Sequence, residues 1–259
     1  MKTILVTGAR SGIINKVINK LIDNYYIYLT VHRESELKVV KEKYKNIKNI
    51  KCLKLDVTNP IDINKVKDLN IDIFISNAAI GESGTILNMD INRIKENFEV
   101  NVFSNFNLTQ IILKNMIQKN KGKVIIISSL AGKVPIPFLG SYCATKASIT
   151  KLSECLYMEM KILNSNINIS IIEPGFYATG FNKLIMDNKY DEESFIEFFN
   201  KQIKLIKTSE NICLKLLEKK KFDSIVNKII KCVNAKKPHL YYRAPFMQKA
   251  FARLYLILK

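Results

Sequence analysis

Tryptophan is absent from this chain, histidine occurs only twice, and the five cysteines are scattered without a CxxC pair. Cys52, Cys143, Cys155, Cys213 and Cys232 are odd in number, which argues against a disulfide framework, and their spacing offers no zinc site. No metal centre is expected, and a reducing compartment is. Long apolar runs are missing too. The longest, such as Val124 to Ile127 and Leu254 to Leu258, fall far short of the ~20 residues that a transmembrane helix requires. The chain opens without a basic region and apolar leader, because Ile4-Leu5-Val6 reads directly as a strand. These absences set the expectation of a cytoplasmic location. Pro/Gly-rich linkers, internal repeats and low-complexity tracts are also lacking, so residues 1–259 are expected to form one domain.

Acidic residues are outnumbered, 23 against 41 Lys and Arg, for a formal net charge of +18. Lysine carries most of it; the arginines are Arg10, Arg33, Arg93, Arg243 and Arg253. The imbalance concentrates in residues 201–259, where 15 basic residues face only Glu210, Glu218 and Asp223, a net of +12. Such a segment could attract nucleic acid, anionic lipid or an acidic substrate. No aromatic-basic nucleic-acid motif accompanies it, so no nucleic-acid partner is expected and a solvated lysine-rich face is the favoured reading.

What the chain does have is a repeated alternation. With 47% apolar residues it can bury a substantial core. Short runs rich in Ile and Val read as strands at Lys2–Val6, Tyr26–Val31, Ile50–Leu55, Ile71–Ser76, Lys123–Ser128 and Ile167–Ile172. Helical patterns fall at Gly12–Asp23, Glu34–Tyr44, Pro60–Leu69, Asp90–Lys119 and Tyr142–Leu163. The pattern predicts an α/β fold, a Rossmann-like doubly wound parallel sheet with helices on both faces. The alternation stops after Pro174-Gly175. Residues 176–222 carry mixed helical signals, including Phe195, Phe198, Phe199, Ile203 and Ile206, where an α/β enzyme would place a substrate lid. A helix near Phe222–Asn234, a strand near Leu240–Tyr242 and an apolar-basic tail over about 244–259 complete the chain.

Thr7-Gly8-x-x-x-Gly12 follows a strand and opens a helix. Gly8 would permit a tight turn, and Gly12 would let the backbone approach a pyrophosphate at the helix N-terminus. The second strand ends in His32-Arg33, where a site for NAD usually carries an acid; Arg10 and Ser11 stand in the loop nearby. This favours a 2′-phosphate, hence NADP over NAD, against the plainer alternative of an exposed His-Arg pair.

Tyr142-x-x-x-Lys146 is weak alone, because the same spacing recurs at Tyr44/Lys48, Tyr157/Lys161 and Tyr255/Lys259. The pair at 142/146 differs in following a buried strand that ends in Ser128-Ser129. A free tyrosine, with a pKa near ~10, is a poor acid or base at neutral pH. A lysine one turn away and a nicotinamide cation would favour the phenolate. Tyr142 could then exchange a proton with an alcohol or carbonyl, and Ser129 could hold the substrate oxygen.

With these motifs the chain resembles the short-chain dehydrogenase/reductase family, from Lys2 to about Thr179. The glycine loop, with Gly8, Arg10, Ser11, Gly12 and Ile13, is similar to the family's cofactor loop. Asp56-Val57 resembles its adenine-contacting acid, and Ser76-Asn77-Ala78-Ala79 matches its Asn-Asn-Ala-Gly motif at two positions of four. The resemblance implies catalytic roles for Asn101, Ser129, Tyr142 and Lys146, and a nicotinamide-contacting loop at Pro174, Gly175 and Thr179. It also implies a homodimer or homotetramer built on the helices around 90–119 and 142–163. Ile14 stands where the family has a third glycine, and a β-branched side chain there should crowd the cofactor. The reading is therefore an NADP-dependent oxidoreductase of a carbonyl/alcohol pair. The alternative is a non-catalytic binding or scaffold protein with a decayed cofactor site. The apolar, aromatic lid and tail point to a hydrophobic ketone or alcohol, steroid-like, retinoid-like or long-chain. The basic tail adds the idea of peripheral contact with an anionic membrane.

Overall fold

The structure is a computed structural model that describes residues 1–188, 190 and 198–258. Among them, seven strands form one parallel sheet in the order β3-β2-β1-β4-β5-β6-β7. They are β1 (Lys2–Val6), β2 (Tyr25–Val31), β3 (Ile50–Lys54), β4 (Ile73–Ser76), β5 (Gly122–Ile127), β6 (Ile167–Pro174) and β7 (Tyr241–Ala244). Helices α1 (Gly12–Leu21), α2 (Glu34–Lys43), α3 (Pro60–Asn64), α4 (Ile91–Phe98), α5 (Asn105–Gln118) and α6 (Gly140–Ile162) connect the first six strands. The later helices are α7 (Phe181–Asn188), α8 (Ile203–Leu217), α9 (Asp223–Asn234) and α10 (Phe246–Leu258).

The apolar strands bury both faces because successive side chains point to opposite sides. Ile4 and Val6 join the core under α1 and α9, whereas Leu5 between them joins the core under α5 and α6. Ile73 and Ile75 against Phe74 repeat the pattern. Each such side chain, fully buried, contributes roughly 1.5–3 kcal/mol. Strand order reverses between β1 and β4, with Val6 paired to Leu29 on one side and Ile75 on the other. The loops that leave these strands therefore flank a crevice at the C-terminal edge of the sheet.

The structure departs from expectation in several places. The helix expected over Asp90–Lys119 is broken by a π-helical turn at Glu99–Ser104. The Asn105 amide donates to Val100 O at 2.6 Å and to Ala78 O at 2.9 Å, so a side chain takes up a carbonyl inside the widened turn. The helix expected to reach Leu69 ends at Asn64, and the chain continues in tight turns, Val66 N to Ile63 O and Leu69 N to Val66 O. The helix and strand expected near Phe222–Asn234 and Leu240–Tyr242 are α9 and β7, and β7 extends the sheet by pairing in parallel with β6. Within the expected lid, residues 189 and 191–197, including Phe195, lie outside the described residues, as does Lys259 of the tail.

Candidate active site

The loops after β1 and β4 clasp one another. Thr7 Oγ1 accepts from the backbone N–H groups of Asn77 at 2.9 Å and Ala78 at 3.0 Å. The Asn77 amide returns the contact, donating to Thr7 O at 3.0 Å and Gly8 O at 2.9 Å. Gly8 has φ +66°, and a Cβ there would stand 2.9 Å from Asn77 Nδ2 and 3.0 Å from Ala78 Cα. Only glycine fits both the turn and the approach. The Asn15 amide braces the loop from inside, donating to Ala9 O, Arg10 O and Ser11 O.

Helix α1 then begins at Gly12 with no side-chain cap and no acid in its first turn. Its leading N–H groups suit a pyrophosphate. Ile14 does not stand over them: it is 1% exposed and packed into the core with Val17, Ile18 and Leu21. The expectation that it crowds the cofactor is met instead by a side chain absorbed into the interior. The neighbour of Gly12 is Phe222, whose ring would lie 3.1 Å from a Cβ added there. Nothing local in the sequence connects positions 12 and 222.

At the end of β2, the groups expected to read a 2′-phosphate are partly engaged. Arg10 Nη1 pairs with Glu36 Oε1 at 2.7 Å, and His32 Nε2 lies 3.2 Å from Asp56 Oδ2. Glu36 Oε2 also accepts from His32 N and Arg33 N. Partial burial would raise the Glu36 carboxyl, but Arg10 and these two N–H groups outweigh it and hold it below its ordinary range. An acid therefore does stand at this edge, supplied from α2 rather than from the strand end. Among the described residues, the Arg33 guanidinium makes no ion pair.

Asn101 sits in the π-helical turn, 2% exposed, with its amide fully engaged. Oδ1 accepts from Ile80 N at 2.8 Å, and Nδ2 donates to Ile80 O at 2.8 Å, Asn97 Oδ1 at 2.6 Å and Thr145 Oγ1 at 3.2 Å. Asn97 in turn donates to Ser141 Oγ at 2.8 Å, so the turn is bonded to the start of α6. Lys146 is buried and donates to Ile127 O at 3.1 Å, while its ammonium lies 5.7 Å from the centre of the Tyr142 ring. Burial lowers the Lys146 pKa to about 8. Burial also pushes the Tyr142 phenol well above its ordinary value, with the Ser129 hydroxyl pulling part of the way back. Without a nicotinamide cation beside it, the Lys146 ammonium alone does not offset this burial. Ser129 Oγ accepts from Ala131 N at 3.1 Å and lies 3.5 Å from Pro174 O, which joins the ends of β5 and β6.

Beyond Pro174, the tail closes on the loop. Gln248 of α10 accepts from Phe176 N at 2.7 Å and donates to Leu217 O at 2.6 Å, and a Cβ on Gly175 would strike its Oε1. Thr179 turns back through its N–H to Tyr177 O at 2.7 Å. Phe181 of α7 meets Tyr142 edge-on, ring centres 5.8 Å apart, and Ile185 packs against Gly81. Glu36, Asn97, Phe222 and Gln248 are the site neighbours that sequence reasoning missed. Asn97, four residues before Asn101 on a helical pattern, carried a readable signal.

The family model for short chain dehydrogenases matches residues 2–189. The chain belongs to that family. It is 28% identical to the 3-ketodihydrosphingosine reductase of Bacteroides thetaiotaomicron over 96% of this chain and 90% of that one. It is 29% identical to the NADPH-dependent 3-dehydrocapnine reductase of Ornithobacterium rhinotracheale over 99% and 93%. The crystal structure of a short-chain dehydrogenase/reductase from Burkholderia phymatum, in complex with NAD, superposes with a TM-score of 0.79 at 18% identity, covering 98% of this chain and 92% of that one. The fold is Rossmann-like, and this short-chain dehydrogenase is an NAD(P)-dependent oxidoreductase. No helix among its described residues is long and apolar enough to cross a membrane.

Proposed function

We propose that this short-chain dehydrogenase is an NADPH-dependent reductase of a hydrophobic ketone. The observation that carries the reading is the convergence of Tyr142, the Ser129 hydroxyl and the Lys146 ammonium, 5.7 Å from the centre of the Tyr142 ring, at the ends of β5 and β6. Gly8, the first N–H groups of α1, Asn77 to Ala79 and the Pro174–Thr179 loop would hold a nicotinamide dinucleotide, with Asp56-Val57 at the adenine. Reduced nicotinamide, when bound, supplies a hydride. Tyr142 gives its proton to the carbonyl oxygen as that oxygen becomes a hydroxyl. Ser129 donates to the same oxygen and orients it. Lys146 and Asn101 position Tyr142 and the end of β5 and link them to the protein interior.

Two supports favour NADPH. Arg33 offers a guanidinium that makes no ion pair among the described residues, with Arg10, held by Glu36, in the neighbouring loop, and one relative is named as NADPH-dependent. The relatives' names, a 3-keto and a 3-dehydro compound, favour a ketone. Phe181 and Ile185 beside Tyr142 and Gly81 favour a hydrophobic one. The scaffold alternative rested on Ile14, whose side chain is in the core. Exposed Phe103 and Met158 on the faces around α5 and α6 suit a homo-oligomer. The test is NADPH consumption by the purified protein with long-chain 3-ketones, repeated with Tyr142→Phe. Turnover at the wild-type rate in that variant would refute the mechanism, and no turnover with any ketone would refute the reductase reading.

A further inference from the structure

Helix α10 is held by one face and presents the other. Gln248 and Ala252 are buried, while Phe246 and Met247 are each 76% exposed, Phe251 64% and Leu254 53%. At 3.6 residues per turn, positions 246, 247, 250, 251 and 254 fall within an arc of about 140° on the side away from Gln248. Lys249 and Arg253 run along one edge of that arc, and no acid occurs anywhere in the helix. The neighbouring helix α8, joined to α10 through the bond from Gln248 to Leu217 O, repeats the design. It has no buried residue, and Leu205, Ile212 and Leu216 project within about 40° of one another. Lys204 and Lys215 both lie along one edge of this stripe, and Lys219 to Lys221 follow it directly, all exposed.

We propose that α8 and α10 form a docking surface for an anionic phospholipid bilayer. Apolar side chains that face water are here bordered by cations of one sign, within a segment carrying a net charge of +12. That pairing matches the interface of a bilayer, where apolar residues enter the acyl boundary and lysines meet the headgroups. A second copy of the chain would bring the same positive charge against itself, which opposes self-association through this face. The surface is distinct from the Tyr142 site and does not depend on the substrate. Gln248 bonds to Phe176, so docking would set the loop after β6 beside the bilayer.

The test is flotation of the full chain with vesicles of phosphatidylcholine alone and of phosphatidylcholine mixed with phosphatidylglycerol. Wild type is expected on the mixed vesicles and in solution with the neutral ones. The double variant Phe251→Ser/Leu254→Ser should lose roughly tenfold or more in partitioning. Lys249→Gln and Arg253→Gln should lose about fivefold each. Phe251, Arg253 and Leu254 are exposed and Lys249 is half-buried, so unchanged melting and nucleotide binding establish that the variants are folded. Retention that ignores the apolar pair would mark simple electrostatic adsorption and overturn the proposal. So would wild type that stays in solution, or that forms a larger species in gel filtration which the apolar variant abolishes.

Discussion

Asn101 and Gln248 are both buried amides, yet they hold together different kinds of structure. Asn101 has neighbours on every side: its amide bonds to Ile80, Asn97 and Thr145, and the strands nearby are sealed on both faces. Gln248 is the tie between three segments, the loop at Phe176, the end of α8 and the tail helix. Helix α8 buries no residue at all. The region through β6, sealed by α9 and β7, is thus pre-organised around Tyr142, whereas α8 and α10 are attached by few polar contacts and modest burial. Segments with few buried contacts sit at the low end of local stability, which is where substrate-dependent movement is drawn from. On the proposed reading, chemistry belongs to the first region and substrate choice to the second.

The largest expected effect lies in the first region. Tyr142→Phe should lower kcat by roughly 10²–10⁴-fold, because the proton donor is removed, and should leave the melting temperature unchanged. Asn101→Ala should affect both properties. It strands buried groups on Ile80 and Asn97, at about 1–3 kcal/mol for each group left unsatisfied, so the urea midpoint and kcat should fall together. Gln248→Ala strands Phe176 N–H and Leu217 C=O, a loss of similar size in the second region. There KM for the ketone and Kd for NADPH should both rise, because Phe176 lies in the Pro174–Thr179 loop, with faster hydrogen exchange confined to α8, α10 and the loop after β6. Faster exchange spreading into β5 and α6 would break the comparison.

The pH dependence of stability follows from burial in the first region. Lys146 sheds its proton near 8 when folded and near 10.5 when unfolded, so between those values the unfolded chain holds the extra proton and stability rises with pH. Tyr142 acts oppositely: above 10.0 the unfolded phenol ionises while the folded one stays neutral, and stability falls. Urea midpoints across this range should show the rise and then the fall, and Lys146→Met should flatten the rise. The smallest effect expected is at the end of β2. Glu36→Gln frees Arg10 from its carboxylate and should tighten NADPH binding by about 1 kcal/mol or less, the usual worth of an exposed ion pair.

The division between the regions is also the division in what the sequence made legible. Ile and Val runs with turn signals located the first six strands within a few residues, because a strand buried on both faces leaves little freedom in composition. Gly8, Ser129, Tyr142 and Lys146 are legible from their spacing relative to strand ends, whereas Asn77 and Asn101 came only with the resemblance to the short-chain dehydrogenase/reductase family. The π-helical turn was not, because it depends on Asn105 reaching Val100 O within an otherwise helical pattern. Glu36 was missed because it approaches the β2 end from one turn inside α2. Phe222 and Gln248 were missed because each acts on a residue far away in sequence, Gly12 and Gly175. Such contacts belong to the fold and have no local signature.

Titration of the wild-type protein with NADPH and with NADH, followed by nucleotide fluorescence, tests the central claim most directly. The account predicts saturable binding of both, tighter for NADPH, with Arg33→Ala weakening NADPH and sparing NADH. Failure to bind either nucleotide would contradict it, because the glycine loop, the uncapped start of α1 and the clasp between Thr7 and Asn77 would then have been misread.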